Sequence, residues 1–177
     1  ETDVTKVEQT WWHQVVKEAG LDLVLNNSWS GSTICYTGYE GKDCSKTSSF
    51  ICRLRKLIDE DFFTENTIDK VFVFGGTNDS WCGAPLGEVK KENWTHEDLY
   101  NVLPAIYCFF DLLKSTLPNA EIYCFVNTEL KSEVAAALTD AAKIHGLIPV
   151  VFDKIDKKCG HPTIQGMKDI KNTVLNN

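Results

Sequence analysis

The sequence predicts an α/β fold in which a parallel sheet lies between two layers of helices. Three observations predict it. Val71-Phe72-Val73-Phe74 is an apolar run without alternation, as in a strand covered on both faces, and it leads into Gly75-Gly76 and then Thr77-Asn78-Asp79. Strand-like and helix-like stretches alternate along the chain, the pattern of βαβ units. No repeat, low-complexity tract or linker interrupts them, and 177 residues suffice for one domain with a sizeable core.

In order, residues 1–9 are polar and read as loop. Thr10 is placed to cap a helix from Trp11 to Ala19, with Gly20 as its stop. Leu21-Asp22-Leu23-Val24-Leu25 reads as a short strand, followed by the polar loop Asn27-Ser28-Trp29-Ser30-Gly31-Ser32-Thr33. Residues 35–47 lack periodicity and read as loop. Ser48 or Ser49 caps a helix to about Glu60, with Phe50, Ile51, Leu54, Leu57 and Ile58 as its buried stripe. The strand at 71–74 follows, then a long loop from Ser80 to Asn93, a length more common in functional loops than in idle ones. Thr95 caps a helix from His96 to about Ser115, which Pro104 kinks or shortens. Its inward residues are Leu99, Val102, Leu103, Ile106, Phe109, Phe110 and Leu113. A strand over Glu121–Val126, a helix over Glu133–His145 stopped by Gly146, and a strand over Pro149–Phe152 come next. Asp153 to Gly160 reads as a charged loop, and His161-Pro162-Thr163 leads into a closing helix with Ile164, Met167, Ile170 and Val174 inward.

Bulk properties narrow the function. A net charge of −7 argues against nucleic acid and anionic membrane as partners. No apolar run approaches the roughly 18 residues needed to span a bilayer. The seven cysteines show no CxxC spacing, which argues against zinc and thioredoxin-like chemistry, and Cys108 and Cys124 read as core filler. No signal peptide is visible, yet the chain opens on Glu1, so removal of an upstream leader, as in a secreted or periplasmic protein, is compatible with it.

Three loops follow the carboxyl ends of strands: 27–33, 75–79 and 153–161. Parallel sheets carry their sites at that edge. The first offers backbone N–H groups around Gly31 and several hydroxyls, the second the Asn78 amide, and the third the imidazole of His161, constrained by Pro162. A histidine base with two neutral donors suits acyl transfer, in which a hydroxyl attacks a carbonyl and the donors stabilise the developing oxyanion. Each has a plainer reading. His161 can be a loop histidine, Asn78 a turn cap, Gly31 a turn glycine, and Ser28, Ser30 and Ser32 loop hydroxyls. His13, His96 and His145 sit at helical positions without chemistry. Trp81 either lines a substrate pocket or shields the Asn78 loop, and Asp79 reads as structural.

The segments Asn27-Ser28-Trp29-Ser30-Gly31-Ser32-Thr33, Gly76-Thr77-Asn78-Asp79 and Gly160-His161-Pro162-Thr163 resemble the second, third and fifth blocks of the SGNH/GDSL hydrolase superfamily, in the right order and over nearly the whole chain. The resemblance implies a three-layer α/β/α sandwich with a parallel sheet, a flavodoxin-like SGNH hydrolase architecture. It implies serine ester hydrolysis, with Gly31 N–H and Asn78 as oxyanion donors, His161 as base, and no metal or cofactor. The substrate class is a small ester or an acylated carbohydrate, as for an O-acetylesterase; an acyltransferase or a non-catalytic sugar-binding relative is the alternative.

Two departures stand out. Gly-Asp-Ser, which carries the family's nucleophile on its first strand, occurs nowhere in the chain, and position 158, where the family has its triad acid, is lysine. Asp156, Asp153 or a backbone carbonyl would orient the His161 ring instead. In the family's strand order, 2-1-3-4-5, the first strand lies between 21–25 and 71–74. Its absence would leave buried strand edges with unpaired groups at about 1–3 kcal/mol each. The expectation is therefore a segment upstream of Glu1 that carries the serine and its strand.

Overall fold

The computed structural model describes residues 2–177. In chain order the elements are α1 (Trp11–Glu18), α2 (Phe50–Asp59), α3 (Phe62–Glu65), β1 (Lys70–Val73), α4 (Thr77–Trp81), α5 (Val102–Thr116), β2 (Glu121–Val126), α6 (Ser132–Ile144), β3 (Ile148–Val151), β4 (Lys157–Lys158), β5 (His161–Pro162) and α7 (Ile164–Leu175). Short 3-10 turns occupy Val7–Gln9, Tyr39–Gly41 and Glu97–Tyr100. The chain divides into two compact units, residues 27–149 and residues 1–26 with 150–177.

β1, β2 and β3 form a three-stranded sheet in that order. β1 and β2 are parallel, with Lys70 opposite Glu121 and Val73 opposite Cys124. No strand among the described residues pairs with the other side of β1. The core is centred on α5, where residues 102–110 and Leu113 are all buried. Its apolar surface extends around most of the helix because α2 and α6 both pack on it. The Phe50 and Phe109 rings meet edge to face at 5.7 Å. As expected, Ser49 caps α2, its hydroxyl accepting from Cys52 N at 3.2 Å.

The single helix expected from His96 is instead a 3-10 turn and α5, separated by Asn101 in an extended conformation. Thr95 starts the first piece reciprocally: Asp98 N donates to Thr95 Oγ1 at 3.2 Å and Thr95 N to Asp98 Oδ2 at 2.7 Å. The break falls where it leaves no donor stranded. Val102 N and Leu103 N donate to Pro85 O and Leu86 O, each at 2.9 Å, and the third residue, Pro104, has no N–H. The α5 start thereby pins the loop after Trp81 to the core.

In the smaller unit α1 packs on α7, burying Val15, Ile170 and Val174. Lys171 Nζ pairs with Glu18 at 3.0 Å. Asp3 and Thr163 cap α7, Asp3 Oδ1 accepting from Ile164 N at 2.8 Å and Thr163 Oγ1 from Gly166 N at 3.1 Å. Thr10 does not cap α1 through its side chain; its hydroxyl donates to Val7 O at 2.6 Å. The segment expected as a loop at 153–160 contains β4, which pairs antiparallel with β5. Cys159 and Gly160 between them have φ of +49° and +78°, as a two-residue hairpin turn matched to strand twist requires.

The strand expected at 21–25 does not form. Leu23, Val24 and Leu25 are 49, 46 and 43% exposed. An apolar segment becomes a strand only when a neighbouring backbone completes its hydrogen bonds, and no strand among the described residues does so.

Gly76 joins β1 to α4 at φ +90°, and a Cβ there would lie 2.9 Å from Leu138 Cδ1 and 3.3 Å from Val134 Cγ1. Conformation and space both demand glycine. Gly76→Ala should lower stability by about 2–4 kcal/mol, read from urea midpoints. Gly31→Ala, at φ +74° in open space, should cost only about 1 kcal/mol. Equal losses would show that packing against Leu138 and Val134 does not constrain the turn.

Candidate active site

The larger unit builds its candidate site on one buried carboxyl group. β1 leads into Gly75-Gly76, and the next five residues, expected as the end of one loop and the start of another, form α4. Asp79 on α4 is fully buried. Its Oδ1 accepts from Ile34 N at 2.9 Å and Cys35 N at 3.1 Å, and its Oδ2 from Ile34 N at 3.0 Å. Asp79 thus reaches 44 and 45 residues back along the chain rather than locking its own turn. Burial pushes the Asp79 carboxyl above its ordinary range, against the opposing pull of the two backbone donors. Nearby, Asn127 Nδ2 donates to Thr77 Oγ1 at 2.9 Å and Lys131 N to Ser80 Oγ at 3.1 Å, which ties α4 to the segment after β2.

With 34–35 held in this way, Ser32 lies against Asn78. Asn78 Nδ2 donates to Ser32 O at 2.9 Å, and Asn78 Oδ1 accepts from the Tyr39 hydroxyl at 3.0 Å. A carboxamide has two N–H donors. One is used, and the other has no partner among the described residues. Gly31, one residue before Ser32, is exposed, with φ +74° and nothing within 4 Å of where a Cβ would be. The turn that carries it is supported from inside: Ser32 N and Oγ donate to Trp29 O at 3.3 and 3.0 Å, and Arg53 Nη2 donates to Ser32 Oγ at 3.1 Å. The structure therefore brings two sequence-predicted residues, Gly31 and Asn78, to one place. Trp81 ends α4 one turn after Asn78 and is exposed, as are Trp29 and Tyr39.

The smaller unit holds His161 and Asp156. His161 is exposed and opens β5 opposite Lys158. Asp156 stands one pair further along the same hairpin, opposite Thr163. Asp156 O accepts from Thr163 N at 3.0 Å, and the Asp156 carboxylate accepts from the Thr163 hydroxyl. Side chains two apart on a strand share a face, so Asp156 and His161 are diagonal neighbours on one side of the hairpin. Asp169 Oδ2 also accepts from Asp156 N at 3.1 Å, so α7 holds the Asp156 backbone in place.

Sequence reasoning missed Tyr39. It lies in the stretch read as featureless loop, and only Gly38 and Gly41 on either side hint at a shaped turn that exposes an aromatic ring. Among the described residues no group of His, Cys, Asp and Glu could hold a metal ion. All seven cysteines are free thiols, and no helix among the described residues is long and apolar enough to cross a membrane.

A parallel-paired α/β core with neutral donors after a strand defines the class as an α/β protein. The family model of GDSL-like lipases and acylhydrolases matches residues 1–177, and the chain belongs to that family. The chain is 43% identical to a proposed GDSL-like lipase from Bacteroides ovatus, with a TM-score of 0.90, covering 99% of this chain and 81% of that one. A proposed GDSL-like lipase from Bacteroides uniformis is 44% identical at a TM-score of 0.90, with 99% and 78% covered. A Lactobacillus plantarum structure at 16% identity and a TM-score of 0.72, with 99% and 89% covered, shares the fold. No curated protein matches the chain.

Asp79→Ala would leave the Ile34 and Cys35 N–H groups buried without an acceptor. It should cost about 2–5 kcal/mol, whereas Asp79→Asn, which keeps one accepting oxygen, should cost less. The raised carboxyl also has a pH signature. The folded state holds the Asp79 proton more tightly than the unfolded chain does. That contribution is complete below the ordinary value of 3.8 and is lost as pH rises through the folded value. Denaturant midpoints should therefore show the native protein losing stability relative to Asp79→Asn as pH rises from about 4 to 7. A gap that widens in the opposite sense would mean that the two backbone donors outweigh burial and that the carboxyl is lowered.

Proposed function

We propose that the protein is a serine hydrolase that cleaves a small carboxylic ester, with an acetyl group on a carbohydrate as the substrate class. The observation that carries this reading is a pair of donors with no partner among the described residues, the second Asn78 amide N–H and the exposed Gly31 N–H, joined through Ser32 and held by buried groups. Donors that do not have to move when charge develops are the largest usual contribution to ester cleavage.

In this reaction a serine hydroxyl attacks the ester carbonyl and His161 takes its proton. Asn78 and Gly31 donate to the tetrahedral oxyanion. The intermediate collapses, His161 returns the proton to the departing alcohol, and water then releases the acyl group by the same route in reverse. Asp156, whose carboxylate is set by Thr163, serves to orient the imidazole. The exposed rings of Trp29, Tyr39 and Trp81 support a carbohydrate, whose flat apolar faces stack on aromatic rings.

The serine is proposed to lie outside these 177 residues, on a strand that pairs with the open side of β1. Two features support this. β1, in which Val71 to Val73 are half-buried or buried, is an edge of the sheet among the described residues, and there the apolar residues Leu23 to Leu25 have no strand partner. The two Bacteroides chains are also longer than the part matched.

The test uses the full-length gene product and a small acetyl ester. His161→Ala should lower kcat by about 10²–10⁴-fold and Asn78→Ala by about 10²–10³-fold. Turnover equal to that of the native protein in His161→Ala would remove the imidazole from the mechanism. A fluorophosphonate should label one serine, located by peptide mass spectrometry outside residues 1–177. Label on Ser28, Ser30 or Ser32 would overturn the assignment of the nucleophile.

A further inference from the structure

We propose that Tyr39 is a positioning residue for the reaction: its hydroxyl holds the Asn78 amide so that the spare N–H faces the reacting oxygen. This rests on the oxyanion role proposed for Asn78.

The hydrogen bonds at Asn78 have only one consistent assignment. Ser32 O can only accept, so the amide nitrogen must face it. The amide oxygen therefore faces Tyr39, whose hydroxyl must donate. Two opposed contacts, at 2.9 and 3.0 Å, set the plane of the carboxamide and exclude its flipped form. A proton donated to the amide oxygen also draws electron density from the nitrogen, which strengthens the remaining N–H as a donor.

The loop is shaped to deliver that hydroxyl. Gly38 N donates to Lys42 O at 2.8 Å and Lys42 N to Tyr39 O at 3.1 Å, and Thr37 and Asp43 bridge the base of the loop. Glu40 and Gly41 both have positive φ, 56° and 72°, so the chain doubles back tightly behind Tyr39. A Cβ at Gly38 would lie 2.7 Å from Cys44 Sγ, and Thr37 Oγ1 donates to Tyr100 O at 2.7 Å, so the loop is seated on the core. The flanking tyrosine, Tyr36, is buried and serves that seating, its N donating to Leu99 O at 2.8 Å, whereas Tyr39 is exposed. An exposed tyrosine on a stiff loop, bonded to a donor that keeps one hydrogen free, has no evident part in the core. Partial burial, with Cys82 and Asp79 nearby, raises the Tyr39 phenol, so it remains a donor at neutral pH.

The experiment is a double-mutant cycle on the full-length gene product with a small acetyl ester. Tyr39→Phe keeps the ring and removes the hydroxyl. It should lower kcat by about tenfold, one lost hydrogen bond, and leave KM within about twofold. In the Asn78→Ala background the same change should have no further effect on kcat, which a merely structural role would not produce. An unchanged kcat in Tyr39→Phe, or an equal loss in both backgrounds, overturns the inference while leaving the oxyanion reading intact if Asn78→Ala alone is impaired. Native kcat in Asn78→Ala overturns both. A readout independent of turnover is the Asn78 side-chain amide in nitrogen-15 NMR. Its nitrogen and proton shifts should move in Tyr39→Phe as the bond to the amide oxygen is lost, and identical spectra would contradict the proposal.

Discussion

The Asp79 carboxyl group is the contact on which the larger unit's candidate site depends. It is fully buried and accepts from two consecutive backbone N–H groups, Ile34 and Cys35. A buried acceptor with such partners is costly to disturb, because its removal strands two donors. The consequence is geometric. The segment after Gly31 cannot move relative to α4, so Ser32 O stays where Asn78 can reach it. What looks like a polar turn at the end of a strand is one half of a clamp whose other half lies more than forty residues earlier.

The same economy governs the surrounding chain. α5 begins where the loop at Pro85 and Leu86 supplies its first acceptors and where Pro104 needs none. That arrangement anchors the segment following Trp81 without a second helix or a disulfide. Gly76 allows α4 to start directly against Val134 and Leu138 of α6. In the smaller unit, the α7 caps Asp3 and Thr163 and the α7 residue Asp169 hold the neighbourhood of Asp156 and the hairpin that carries His161.

Much of this is legible in the sequence, and the failures have physical causes. α2, β2 and α7 follow from periodicity and caps because their partners are local or their apolar pattern is complete. The helix expected from His96 is divided because a loop of distant residues, invisible to local propensity, supplies its N-terminal acceptors. Leu21 to Leu25 has strand composition but no paired strand among the described residues, and composition alone does not make a strand. Gly31 and Asn78 follow from glycine and amide positions after strand-like runs and from family blocks. The bond from Tyr39 to Asn78 spans 39 residues and leaves no spacing signal. Asp79 is structural, as its sequence context implies, but its partners lie far outside its own turn.

Membership of the GDSL-like family rests on a match across the whole chain, and the chemistry proposed for it rests on where an oxygen goes. The most direct measurement is a crystal structure of the full-length protein inactivated by a small phosphonate, whose phosphoryl oxygen mimics the oxyanion. That oxygen is expected about 3 Å from both Asn78 Nδ2 and Gly31 N, with the phosphorus bonded to a serine oxygen. An adduct whose phosphoryl oxygen points away from both donors would contradict the oxyanion role of Asn78 and Gly31.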